Sequence, residues 1–249
     1  MNLLRSEWTK FRSLRSTWLT AAMTVLLGVG IGALASGTAA RTYTGEDWDP
    51  TASSMTSLVV AQLAIGVLGV LVITSEYATG TMQPSLTAAP RRGRLLAAKA
   101  TVLAGAALVL GQLIGFASFF TGQAVIAGMD VPHATLGEPG VLRAVVGCGL
   151  YLAAIGLLGL GLGAASRSTA GAIGALVSIT WVIRALSSAL PESWSNWMDR
   201  YWPTTAGERI TAVLRAPGEL GPWAGYSILC AFVAAVGAAG YAVLRTRDA

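Results

Sequence analysis

Charge is what this sequence has least of. Of its 249 residues 12% are charged, against roughly 25% in a typical soluble domain. Seventeen Lys and Arg with twelve Asp and Glu are too few to cover a soluble protein of this length with a polar surface. Histidine occurs once, at His133 beside Pro132, which excludes a dyad of histidines. The two cysteines, Cys148 and Cys230, sit inside apolar stretches and give neither a disulfide framework nor metal-ligand spacing. No glycine-rich loop ends in Gly-Lys-Ser/Thr, so ATP is not bound in that manner. His-Glu-x-x-His and Gly-x-Ser-x-Gly are absent too. These absences exclude an ordinary soluble enzyme, a disordered chain and a nucleic-acid binder.

What is present is apolar and long. Hydrophobic residues make up 54% of the chain, glycine contributes 30 residues, and the mean hydropathy is +0.62. A helix crosses the hydrocarbon core with about 20 apolar residues. Six runs meet that length: Trp18 to Ala39, Thr56 to Thr74, Leu96 to Ala127, Val141 to Ala165, Thr169 to Leu190 and Trp223 to Leu244. Ser166-Arg167-Ser168 is short enough to make the fourth and fifth a tight antiparallel hairpin. An outer-membrane barrel would show alternating segments of about ten residues instead. The expectation is an all-α membrane protein with six transmembrane helices, forming a single domain over residues 1–249. No set of acids lies within the runs, which argues against a proton-coupled pump.

Loop charges orient the spans. With the N-terminus in the cytoplasm, the inner segments hold eleven of the seventeen basic residues and three acids, Glu7, Glu76 and Asp248. The outer segments and flanks hold the other six bases and nine acids. Both termini are therefore expected in the cytoplasm. A basic start followed by Ala33-Leu34-Ala35 also resembles a cleavable signal peptide. The basic region is 17 residues long, however, and carries Trp8 and Phe11.

Residues 1–17 form an amphipathic stretch in which Leu4, Trp8 and Phe11 recur at helical spacing while Arg5, Glu7, Lys10 and Arg12 face elsewhere. Such a helix lies in the membrane interface; the alternative is a plain basic flank. Residues 75–95 follow the second span. Glu76 there opposes the basic bias, which calls for a helix N-terminal position or a basic partner. Pro84 and Pro90 limit helix to short pieces, so the segment is either a short docking helix or a loop with a basic tail. Residues 191–222 form a long outer segment with Trp194, Trp197, Tyr201 and Trp202 at interface level. It is expected to hold two interfacial or re-entrant helices, the second over Ala206 to Ala216. The first outer loop, Arg41 to Ser57, reads as a solvated connection.

Glycines four apart at Gly28/Gly32, Gly111/Gly115 and Gly159/Gly163 permit close helix contact, within the chain or at a dimer seam. Gln62, Gln112, Gln123 and Arg184 are polar residues inside the spans and candidates for lining a substrate path. Arg184 could instead snorkel outward or pair with Glu192 or Asp199.

The run Glu76-Tyr77-Ala78-Thr79-Gly80-Thr81, followed by Leu86, Pro90 and Arg91-Arg92, resembles the cytoplasmic signature of type-2 ABC exporter permeases. The opening Ser6-Glu7-Trp8-Thr9-Lys10-Phe11-Arg12 and the six-span layout are similar to that family as well. The resemblance implies a permease subunit that is not itself an enzyme and carries no cofactor. Glu76, Tyr77, Gly80, Thr81, Met82 and Gln83 would form the coupling helix that docks on an ABC ATP-binding subunit. Two such subunits would carry ATP and Mg, and a second permease chain, identical or similar, would complete the path. The setting would be the lipid bilayer of a bacterial plasma membrane, with no nucleic acid bound. The substrate would be lipophilic or amphipathic: a drug, a peptide antibiotic or a lipid. A membrane scaffold or sensor that transports nothing would share the same composition.

Overall fold

The computed structural model describes residues 2–13, 15–45, 48–80, 92–187, 189–215 and 218–246, and among them every regular element is helical. The elements are α1 (Asn2–Ser13), α2 (Arg15–Arg41), α3 (Pro50–Ser54), α4 (Leu58–Ala78), α5 (Arg92–Ala127), α6 (Val141–Ser166), α7 (Thr169–Val177), α8 (Ile183–Ser187), α9 (Glu192–Tyr201), α10 (Pro203–Glu208) and α11 (Pro222–Thr246). Six stretches are long and apolar enough to cross a membrane: Leu19–Arg41, Pro50–Ala78, Arg92–Ala127, Val141–Ser166, Thr169–Ser187 and Pro222–Thr246. They coincide with the six expected spans. The third, 36 residues long, would reach ~54 Å at 1.5 Å per residue, so it extends well beyond a hydrocarbon core of ~30 Å.

Local chemistry explains the turns. At the α6–α7 hairpin Arg167 takes a left-handed conformation, with φ +55°, and its N–H closes on the Gly163 carbonyl at 3.0 Å. Ser168 then caps α7, its hydroxyl accepting from the Gly171 N–H at 3.3 Å. A C-terminal left-handed residue followed at once by an N-cap reverses the chain in two residues. Asp49 does the same for α3, accepting from the Ala52 N–H at 2.9 Å with Pro50 in the first helical position.

Helix α6 is the axis of the bundle. In its most apolar window 72% of residues are buried, against 17% for the fifth and sixth spans. Helices α4, α5 and α11 pack directly on it. Lipid tails are as apolar as leucine, so membrane helices associate through close packing and hydrogen bonds rather than through water exclusion. Glycine provides the closeness. A Cβ on Gly69 would lie 2.0 Å from the Gly156 carbonyl oxygen, and one on Gly159 would lie 2.1 Å from that of Gly66. The spaced glycine pairs serve contacts inside the chain: Gly111 faces the Gly149 Cα, Gly115 faces the Val145 carbonyl, and Gly32 faces the Ser54 carbonyl.

Three expectations are corrected. The first outer loop is no simple connection: α3 and the 3-10 turn after it bury Thr51, Ser54, Met55 and Ser57, and Trp48 donates to the Pro132 carbonyl at 2.6 Å. The fifth span ends at Ser187 and is interrupted by a π turn at Ser178–Val182. The expected helix over Ala206 to Ala216 is displaced: α10 ends at Glu208, one 3-10 turn follows, and the chain is extended at Ala212. Arg143 is the reason, because its guanidinium takes the Ile210 and Ala212 carbonyls at 2.7 and 2.8 Å, which removes them from any helical ladder. Helix α9, by contrast, lies where the first short helix was expected, with Trp194, Trp197 and Tyr201 all exposed.

Candidate functional site

The bundle has a terminal end, where α1 and the last turn of α11 lie, and a distal end holding α3, α9 and α10. Polar side chains concentrate at both.

At the terminal end, α1 carries Glu7 and Lys10 three residues apart and so on one face. Glu7 is 6% exposed although its helix is an outer element. Lys99, about two turns into α5, is 2% exposed, and Glu76, in the last turn of α4, is 8% exposed. The Lys99 ammonium donates to Glu7 at 2.8 Å and to Glu76 at 2.7 Å. Lys10 donates to Glu76 at 2.9 Å and to Glu7 at 3.2 Å. Two acids and two bases thus form a knot joining three helices, with Lys99, Glu7 and Glu76 buried and Lys10 at its rim. Removing these charges from water is expensive, and only such mutual pairing offsets it. Partial burial opposes the Lys10 charge, but the hydrogen bond and charge of Glu76, with Glu7 behind them, outweigh it and raise the Lys10 pKa.

Glu76 stands at a helix C-terminal end, where the macrodipole disfavours an anion. Of the two reasons expected for this acid, the basic partner is the one observed. Its second carboxylate oxygen, Oε2, is buried with no hydrogen-bond partner among the described residues. Tyr77 lies half-buried with its ring under the Arg167 guanidinium, 5.5 Å from the ring centre. Gly80 follows the helix with φ +68°, and no described residue lies within 4 Å of where its Cβ would stand, so the left-handed backbone favours glycine there. Thr81, Met82 and Gln83 lie outside the described residues. On α1, Leu4 and Trp8 are 44% and 46% exposed; the side chain of Phe11 lies outside the description. Arg92 donates to the Leu244 carbonyl at 2.6 Å, and Arg167 reaches that of Val243 at 3.4 Å. Both hold the last turn of α11 against the same end.

Three of the intramembrane polar residues are committed to hydrogen bonds between elements. Gln62 accepts from the Tyr151 hydroxyl at 2.8 Å, linking α4 to α6. Gln112 donates to the Val146 carbonyl at 2.9 Å, linking α5 to α6. Gln123 donates to the Pro50 carbonyl and the Ser54 hydroxyl and accepts from the Ala134 N–H, tying α5 to α3 and the following loop. Arg184 differs. It pairs with Glu208 of α10, not with Glu192 or Asp199. The pair lines a cavity of about 250 Å³ with the start of α4 and the 3-10 turn Arg209–Thr211. Close by, the π turn presents the Ile179 carbonyl to the Trp202 indole N–H at 2.8 Å and the Thr204 hydroxyl at 3.4 Å.

Sequence reasoning did not single out Glu7, Lys99, Lys10, Glu208 or the π turn as parts of a site. A signal for the first two existed. Glu7 and Glu76 are acids on an otherwise basic side, and Lys99 follows Leu95-Leu96-Ala97-Ala98, an apolar stretch that sinks it into the bundle. Among the described residues no group of three or more His, Cys, Asp or Glu could hold a metal ion.

Residues 3–183 match the family model described as ABC-2 family transporter protein. No curated protein matches the chain.

Proposed function

The chain belongs to the ABC-2 family of transporter membrane proteins, and from that premise we propose that it is the permease subunit of an ATP-driven exporter in a bacterial plasma membrane. It is a multi-pass membrane protein, and members of this family lack the ATPase domain and generally pair with ATP-binding subunits. In this reading both termini are cytoplasmic and residues 1–249 act as one six-helix domain. Two ATP-binding subunits, carrying ATP and Mg, dock on residues 75–95. A second permease chain, identical or similar, completes a path for a lipophilic or amphipathic substrate: a drug, a peptide antibiotic or a lipid.

The observation that carries the proposal is the knot of Glu7, Lys10, Glu76 and Lys99. Glu76 and Lys99 stand on either side of the segment 81–91, one before it and one after it. A force on that segment reaches the end of α4 and the start of α5 together. Lys99 and Lys10 pass it on to α1, whose exposed Leu4 and Trp8 suit a helix lying in the membrane interface. A pliable loop would dissipate such a push, whereas a buried charged junction moves as a unit because each ion loses its partner if it moves alone.

The test measures co-purification with the ATP-binding subunit and ATP-dependent efflux in cells. Gly80→Val strains the left-handed turn that leads into the docking segment, leaving the buried helices as they are. It should weaken assembly, or leave ATP hydrolysis running without efflux. If Gly80→Val expresses, assembles and exports like wild type, the segment is not the coupling element. Orientation is tested separately in a Cys230→Ser background. A cysteine at Ser193, exposed on α9, should react with an impermeant reagent outside intact cells, and one at Ser85 should not.

A further inference from the structure

The distal cavity has a chemistry that narrows the substrate class, an inference that rests on the permease reading above. Its polar side is the Arg184–Glu208 pair, whose side chains are 47% and 25% exposed. Arg209 also lines the cavity, but Glu219 holds it at 2.6 Å. Thr205 adds a hydroxyl, and Leu58 and Val59 close the apolar side. At about 250 Å³ the space lies below the ~300–1,000 Å³ of pockets that enclose a whole drug-sized ligand. It suits a polar head whose tail stays outside. Val59 is 38% exposed, and Trp181, three residues before Arg184, is 40% exposed. Both offer apolar surface for such a tail.

We propose that this cavity is a binding subsite for the zwitterionic head of an amphiphile, its anion taken by Arg184 and its ammonium by Glu208. The charge balance decides the class. A half-exposed ion pair contributes little stability by itself, so a ligand can open it at small cost. A head with only an anion would claim Arg184 and leave Glu208 unpaired beside it. A head with only a cation would do the reverse. A head bearing both replaces each end of the pair and leaves neither charge without a partner once the bound head has covered it from water. Arg209 does not upset this count, because Glu219 already neutralises it.

The test is equilibrium binding to the purified full chain in nanodiscs, read by tryptophan fluorescence. Three probes share one acyl chain: lysophosphatidylethanolamine, lysophosphatidylglycerol and monoacylglycerol. The zwitterionic probe should bind about tenfold or more tightly than either of the others, the loss expected when one charge-assisted contact is missing. Glu208→Gln should abolish the advantage over the anionic probe. Arg184→Gln should remove the phosphate contact from both phosphate-bearing probes: the anionic probe falls to the neutral one or below it, and the zwitterionic probe loses about tenfold in affinity, keeping only what its ammonium gains from Glu208. Equal affinities of the three heads for the wild-type chain would overturn the proposal, with no variant needed to fold. Variants that melt like wild type yet keep its affinity ratios among the three probes would overturn the role of the pair. The assay needs no ATP-binding subunit. Absent head preference therefore leaves the export reading standing, and intact preference without ATP-driven efflux defeats that reading alone.

Discussion

The two ends of the bundle use the same chemistry at different depths. At the terminal end the buried Lys99 side chain, 2% exposed, holds Glu7 and Glu76, which are 7% and 10% exposed, while Lys10 joins the same acids from the rim with 48% of its side chain exposed. At the distal end one guanidinium meets one carboxylate with 47% and 25% of the side chains exposed. Depth sets what each can do. Lys99 cannot leave without stranding two buried acids, so the three buried charges behave as a rigid joint. A half-exposed pair is screened and weakly held, so it can exchange partners. A joint suits the transmission of a push, and an exchangeable pair suits the reception of a ligand.

The sharpest way to break this contrast is to remove one charge from each end. Lys99→Met should destabilise the protein by about 3–5 kcal/mol, the cost of leaving buried acids uncompensated. Arg184→Gln should cost about 1 kcal/mol or less. Thermal unfolding of the purified variants measures both, and equal losses would dissolve the distinction between the ends. A lesion that involves no charge calibrates the scale. Gly159→Ala places a methyl 2.1 Å from the Gly66 carbonyl oxygen, and the forced separation of α4 from α6 should cost about 1–3 kcal/mol. That variant should spare the pH response described next, which sets packing apart from electrostatics.

The smallest expected effect is alkaline. The native state holds the Lys10 proton more tightly than the unfolded chain does, because its acids outweigh the burial that opposes the charge. That stabilisation is complete below the ordinary lysine value of 10.5 and fades as pH rises through the higher native value. The melting temperature should therefore fall above about pH 10.5, and fall less in Lys10→Met. An unchanged alkaline profile in that variant would show that Lys10 is peripheral to the knot.

Much of this arrangement was legible in the sequence, for reasons of range. Runs such as Val141 to Ala165 are apolar over the length a bilayer requires, and the hairpin at Ser166-Arg167-Ser168 follows from its brevity. Leu4 and Trp8 announce α1 by their spacing. The candidate site was legible only in half. Glu76 was conspicuous as an acid among bases, but its partners were not, since Lys99 lies 23 residues from it and 92 from Glu7. The first outer loop misled for the same reason. Asp49, Thr51 and Ser54 look like solvated loop residues until Ser54 meets Gln123, 69 residues away, and Thr51 is found 1% exposed.

The sequence by itself determined how many helices are long and apolar enough to cross a membrane, where each begins and ends to within a few residues, and which face of α1 is apolar. Those properties depend on neighbours one or two turns apart, and on the requirement that backbone polar groups in lipid bond within their own helix. Tertiary structure alone decided that Lys99 buries its charge between Glu7 and Glu76 with Lys10 at the rim, that Arg184 takes Glu208, and that Arg143 ends the helical run after α10 by claiming its carbonyls. A charge in a low-dielectric bundle must find its counter-charge wherever packing brings one, and that packing is set by glycine contacts between helices distant in sequence.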